Sequence, residues 1–409
     1  LLRSTIAATG VELALVAVFA IGLAVTPASA GTITTGTVSP ALGAGSNDVT
    51  GSTVNVTGNP GSLEVNGGSN LTADDLRSAG NAVDVTTLTF TGPGTTVNLV
   101  GDDPGFTNRI DIGVQGSTSM TISAGAVVDT ATAPCISGGC NIFIGNFTGS
   151  TGNLTVTGAG SRLDGQDSFV LGQSQVTNIA TEGFDAGLAG GVTNGTLNVL
   201  DGGVLNTESS TLGTDVGGGG SLGTEQSIVN GTVGGVGSQW NMTGADASLN
   251  IARGANATAT LNINTGGVVS VSRNATSTAS VNVGANGLNG GGDGNLNIDG
   301  AGSELAITNT LGRAQLNVAS FGDANVTMTN GSQLTISSTA TSGDTNINVG
   351  IGGTGIFTAT DSTIDMTVTG NNVNADAIIT IGGTSTTGSA ATDGQMTLTN
   401  TTLNMTATA

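Results

Sequence analysis

The chain has 409 residues with 7 basic and 28 acidic side chains, a net charge of −21, and no His. All seven basic residues are Arg, so a Ser-His-Asp triad, a Cys-His pair, a Lys nucleophile and a His-ligated metal are excluded within this chain. The acidic excess argues against nucleic acid and anionic lipid as partners.

The first 30 residues have the form of a signal peptide. Arg3 supplies positive charge, Leu13 to Val25 is an unbroken run of 13 mostly apolar residues, and Ala28-Ser29-Ala30 offers a small-x-small cleavage site. Cleavage is expected after Ala30. The run is short for a bilayer span and no later segment approaches ~20 apolar residues, so no transmembrane segment is expected in the mature chain. The chain opens on Leu1 rather than Met, which points to a fragment or a misplaced start.

Residues 31–62 are read as an N-terminal capping segment and 63–409 as a repeat region. Cys135 and Cys140, in PCISGGC, are the only cysteines. In an exported chain so close a pair is expected to form a disulfide, and two thiolates alone cannot complete a tetrahedral zinc site.

Two phrases alternate down the repeat region. GNLTVTGAGSRL, GTVGGVGSQW and GNLNIDGAGSEL, beginning at Gly152, Gly231 and Gly294, interleave with GTLNVLDGGVL, ATLNINTGGVV and ANVTMTNGSQL, beginning at Gly195, Ala259 and Ala324. Their central apolar residues are Val156, Val199, Val233, Ile263, Ile298 and Met328, with Ile122 one unit earlier. Weaker copies begin at Leu63, Leu88, Ile356 and Met396, giving about eleven units of roughly 30–35 residues.

Within a unit the marker strand is followed by two more short strands, as in LNIN, VVSV and SVNV between Leu261 and Val283. Period-2 alternation of apolar and polar residues argues against disorder and for strands. Three strands per unit, parted by Gly, Asn and Ser turns, predict an all-β, right-handed parallel β-helix. One coil cannot bury its apolar face alone, so the seven marker residues are expected to stack as a continuous inner ladder. Asn at corners such as Asn264 and Asn330 is expected to form ladders between coils. Insertions at Gln173 to Gly195, Gly217 to Gln226 and Asn286 to Gly294 are expected to project as loops.

GVGSQWNMTGADASLNIARGANATATLNINTGG, from Gly235 to Gly267, resembles the repeat of autotransporter (type V secretion) passengers and PEP-CTERM-associated bacterial surface proteins. The likeness spans roughly Leu63 to Met405 and is sharp from Gly152 to Leu334. Trp240 matches the usual aromatic, which Leu163 and Leu305 replace in sister copies. The resemblance implies a secreted passenger displayed at the outer surface. Neither aromatic-rich strands of a C-terminal barrel nor a sorting tail is seen, and the pattern runs on to Ala409, so the repeat region is read as truncated there.

Carboxylates are the remaining groups for catalysis, and a glycosidase sets two of them across a groove. Asp102-Asp103, Asp164 with Asp167, and Asp361 with Asp365 are the candidates, each in or beside a turn where Asp commonly bonds local backbone. Trp240 is expected to pack at its strand edge rather than stack on a sugar. GGDGNLNID, from Gly291, carries Leu296 where a calcium-binding β-roll needs Asp and does not recur in tandem, so neither metal nor cofactor is expected. Asn-x-Ser/Thr sequons, as at Asn153, Asn241 and Asn325, arise by chance in so Asn- and Thr-rich a chain. TLTFTG and TLTNTT suggest a Thr-x-Thr ice-binding face, but the strands are not expected to repeat it on one side.

The sequence therefore reads as a non-enzymatic, secreted or surface-displayed bacterial scaffold, partnered by surface or matrix carbohydrate, by protein or by itself. The alternative is an extracellular polysaccharide-acting enzyme using Asp, Glu and Arg in a lateral groove.

Overall fold

The structure, a computed structural model, describes residues 31–39, 41–100, 108–130, 140–174, 191–215, 225–287, 290–341, 343–370, 375–383 and 393–408. Among these the chain forms strands and turns and no helix, and the strands join into one extended parallel sheet. Each strand pairs with its counterpart one coil earlier and one coil later, which makes a three-faced parallel β-helix.

The first strand, β1 (Gly31–Ser39), is an exception, lying antiparallel on β2 (Asn47–Asn66). β2 already follows the solenoid path. It pairs in parallel with β3 (Asn70–Ser78) through Asn47 to Val56 and with β4 (Val85–Thr91) through Gly61 to Asn66. Parallel stacking thus begins at Asn47, inside the segment read from sequence as a cap, and β1 is the part that lies across it.

Face A contains β4 and carries the marker residues. Ile122, Val156, Val199, Val233, Ile263, Ile298 and Met328 are Cα partners in unbroken succession and each is fully buried. The column continues through Val65 and Phe90 at one end and through Ala359 and Leu398 at the other, so it takes one residue from each of eleven coils. At Ile356 the register differs from a simple reading of the phrase: Ile356 faces solvent and Phe357 points inward. At ~4.8 Å per coil the rod is roughly 50 Å long.

Two corners are built differently. Each coil leaves face C, which contains Leu76, Ile110 and Ile142, through a left-handed residue: Gly in most coils, but Ala79, Ala252 and Ala319 at φ of 53°, 57° and 59°. Leaving face A toward face B, which contains Leu163, Leu205 and Trp240, the coils alternate. One kind turns through two adjacent left-handed residues, as at Asp201-Gly202 and Thr265-Gly266. The next uses Gly-x-Gly, as at Gly235 to Gly237 and Gly300 to Gly302. These are the two phrases seen in sequence.

Candidate binding surface

Among the described residues, the carboxylates singled out from sequence are engaged within their own coil or by a neighbouring one. Asp164, outward on face B, pairs with Arg162 Nε at 2.6 Å and accepts from Asn206 Nδ2, one coil on, at 2.6 Å. Asp361 occupies a left-handed turn position and accepts from Asn400 Nδ2 at 2.7 Å. Asp365 lies on face B and accepts from Asn404 Nδ2 at 2.7 Å and Gln333 Nε2 at 3.1 Å. Asp167 is half-buried, its carbonyl accepting from the Glu208 amide at 3.1 Å. Asp102 and Asp103 lie outside the described residues. Among the described residues no three His, Cys, Asp or Glu side chains gather as metal ligands would.

Trp240 is not at an edge. It is fully buried on face B, its ring edge-on to Phe169 with centroids 5.8 Å apart, and its Nε1 donates to Thr207 Oγ1 at 3.4 Å. Ser210 is the reason it fits. In the inner column of face C, Ser210 stands between Phe169 and Leu249, where other coils place an apolar side chain, and its small volume leaves room for the indole. Leu163 and Leu305 fill the same column elsewhere. Cys140 is buried with its Sγ 3.7 Å from Gln166 Oε1, whereas Cys135 lies outside the described residues.

One concentration of charge escaped the sequence reading. Asp75, Arg77 and Asp111 lie on face C of the first coils, each less than a tenth exposed, with Arg77 in register with both Asn55 and Asp111. Asp75 Oδ2 accepts from Thr53 Oγ1 at 3.2 Å, and Asp111 Oδ1 from Asn146 Nδ2 at 3.0 Å. The signal was present in DDLRS and NRIDI, where Arg77 and Asp111 hold alternate positions, but these weak copies had no assigned register. The hollow beside Arg77, lined also by Asn55, Thr57 and Ser78, measures about 110 Å³, well below what a drug-sized ligand fills.

The outward faces are organised as ladders of polar side chains. On face C, Asn282 donates to Asn250 at 2.9 Å, Asn317 to Asn282 at 2.7 Å and Asn348 to Asn317 at 2.8 Å. On face B, Asn241 donates to Asn206 at 3.0 Å and Ser270 to Asn241 at 2.8 Å. Asn330 joins such a ladder by donating to Asp299 Oδ1 at 2.6 Å. Thr265, next to Asn264, receives the Gly235 amide at 2.7 Å. Such bonds satisfy amide groups that the tight stacking would otherwise desolvate.

Face A has such bonds too, from Asn297 to Asn262 at 2.9 Å and from Asn325 to Asn295 at 3.2 Å, but is richer in Thr. Its outward central column runs Thr89, Thr121, Thr155, Asn198, Thr232, Asn262, Asn297, Thr327 and Thr358. Thr87, Thr89 and Thr91 share this face with Thr397 and Thr399, but the coils between do not repeat Thr-x-Thr, placing Asn198 with Leu200 and Asn262 with Asn264 at the same positions. The side is fixed by register across about eleven coils, which insertions of unequal length hide in sequence.

Of the insertions, only the one at Asn286 shows a described form, a hairpin in which Asn286 pairs with Gly291 and Gly287 with Gly290. Most of the other two lies outside the described residues. No family model, curated protein or solved structure matches the chain.

Proposed function

We propose that the protein is a secreted or surface-displayed bacterial scaffold whose rod presents polar faces and projecting loops for adhesion or self-association. One observation carries the reading: carboxylates and amides that project from the coils are bonded to the equivalent position one coil away, Asp164 with Asn206, Asp365 with Asn404 and Asn282 with Asn250. Groups held this way contribute to stacking, whereas hydrolysis of a glycosidic bond requires two carboxyl groups facing each other across the substrate. The apolar run at Leu13 to Val25 and the resemblance to autotransporter passengers support export and display. The Cys135–Cys140 disulfide belongs to the same proposal, since an oxidising compartment favours it.

The test is attachment. Cells displaying the chain should adhere to surfaces or to one another, and replacing the Asn286 to Gly291 hairpin with a short turn should reduce attachment while leaving the circular dichroism of the purified rod unchanged. A purified rod that depolymerises a polysaccharide, and ceases to when Asp164→Asn and Asp167→Asn are combined, would replace this reading with the enzymatic one.

A further inference from the structure

We propose that face A is the docking face of the scaffold and that its partner is a fibre of uncharged, β-linked polysaccharide. The inference rests on the scaffold reading and adds the ligand class. Its basis is a segregation of charge that composition conceals. From Thr87 in the second coil to Asn264 in the seventh, no outward position of face A carries a charge. Over the same coils the other sides hold the ions: Asp129, Arg162 and Asp164 on face B, Asp111 on face C, and Arg253 at the corner just past Ala252. In a chain of net charge −21, an uncharged side broad enough to cross six coils is where a neutral partner meets least electrostatic opposition.

The chemistry of the face narrows the partner further. Thr and Asn side chains each donate and accept, as sugar hydroxyls do. They are also held in place: Thr is stiff at χ1, and Asn262 is bonded to Gly231 O at 3.4 Å and accepts from Asn297 Nδ2 at 2.9 Å. Little entropy is then lost on docking. A globular protein partner would call for aromatic or Arg anchors. Face A turns its aromatics inward, with Phe90 and Phe357 fully buried. What it offers instead is repetition, at ~4.8 Å between coils and ~6.6 Å along each strand, so weak contacts accumulate only along a partner that is itself extended and repetitive.

Retention of the purified full chain on microcrystalline cellulose and on chitin, against carboxylated cellulose, tests this. Wild type should be retained on a neutral fibre with little dependence on salt, and less on the carboxylated one. Thr89→Glu, Thr155→Glu and Thr232→Glu together, in alternate coils so that no two new charges are adjacent, should weaken retention about tenfold or more, because each carboxylate must be desolvated against the fibre. Gln239→Glu, Gln315→Glu and Thr363→Glu on the other faces should leave it unchanged. Circular dichroism checks folding, and the near-isosteric Thr→Val set at the same three positions gives the same expected loss should the Glu set fail to fold. The proposal is overturned by retention on neither neutral fibre, by equal retention on the carboxylated fibre, by undiminished binding of the face A variants, or by inhibition of ice recrystallisation without fibre retention. Cell attachment that depends on the Asn286 hairpin, with no fibre retention, would remove this inference and leave the scaffold reading standing.

Discussion

Ser238 Oγ accepts a hydrogen bond from the amide of Gly202, one coil below, at 3.1 Å, and donates to Gly234 O in its own turn at 2.7 Å. The same clamp joins Ser303 to Gly266 at 3.0 Å, Ser161 to Gly125 at 2.9 Å and Thr95 to Gly68 at 3.0 Å. In each case a coil with a Gly-x-Gly turn satisfies the glycine amide of the preceding coil with its two-residue left-handed turn. The alternation of phrases is therefore a pairing of coils, two by two, through the eighth coil. Beyond it the Gly331 amide donates instead to the Asp361 carbonyl.

Removing the clamp should be costly. Ser238 is fully buried, so Ser238→Ala leaves the Gly202 amide without its partner, at about 1–3 kcal/mol, while the Gly234 carbonyl keeps the Asp201 amide at 3.2 Å. Ser270→Ala, which removes a half-buried ladder bond, should cost clearly less. Denaturant melts of the two variants, with hydrogen exchange at the Gly202 amide, check this. Equal melts and an unchanged Gly202 exchange rate would show that the hydroxyl is dispensable.

Coil pairs should be the units that can be excised. Deleting residues 234–298 removes two coils and brings Ser303 over Gly202, preserving the clamp. Deleting 234–263 removes one coil and sets the Thr265-Gly266 turn directly on the Asp201-Gly202 turn, with no Ser hydroxyl to receive the Gly202 amide. The shorter deletion should lower the melting temperature more than the longer one. The opposite order would mean that coils count singly.

Left-handed corner positions should differ in tolerance according to what surrounds them. Gly350 and Gly213 have φ of 69° and 67° and thus the same backbone penalty. A Cβ at Gly350 would run into the backbone carbonyl of Asp393, whereas at Gly213 it would meet nothing nearer than the side chains of Ala259 and Ser227 at 3.4 Å. Ala252 and Ala319 show that a Cβ is accepted at this corner where space exists. Gly350→Ala should cost about 2 kcal/mol or more beyond Gly213→Ala in chemical denaturation, and similar losses would contradict the steric account.

Acid should weaken one turn ladder. The Thr329 hydroxyl, and after it the Asn330 amide, hold the Asp299 carboxyl below the ordinary carboxylate range. Because the folded pKa is depressed, the stabilisation is present above the unfolded value of about 3.9 and is lost as pH falls through the folded one. Asp299→Asn should flatten the fall in melting temperature below about pH 4 while leaving the melt at neutral pH nearly unchanged. An identical acid slope in both proteins would show that Asp299 contributes nothing there.

The amino-acid sequence alone determined which residues of the marker strands face inward where the repeat is sharp. Alternation such as Leu-Thr-Val in β-strands is a local property, and Val156, Ile263 and Met328 could be placed in one column from it because each phrase supplies the same central residue. It also showed that two kinds of turn alternate. Which residues meet across coils was decided by the tertiary structure: Ser238 meeting Gly202, Asn206 meeting Asp164, and Trp240 in the room left by Ser210 all join positions separated by insertions of unequal length. Period-2 alternation says in or out but not which of three faces, and so the uncharged side of a strongly acidic chain emerges only when the coils are stacked.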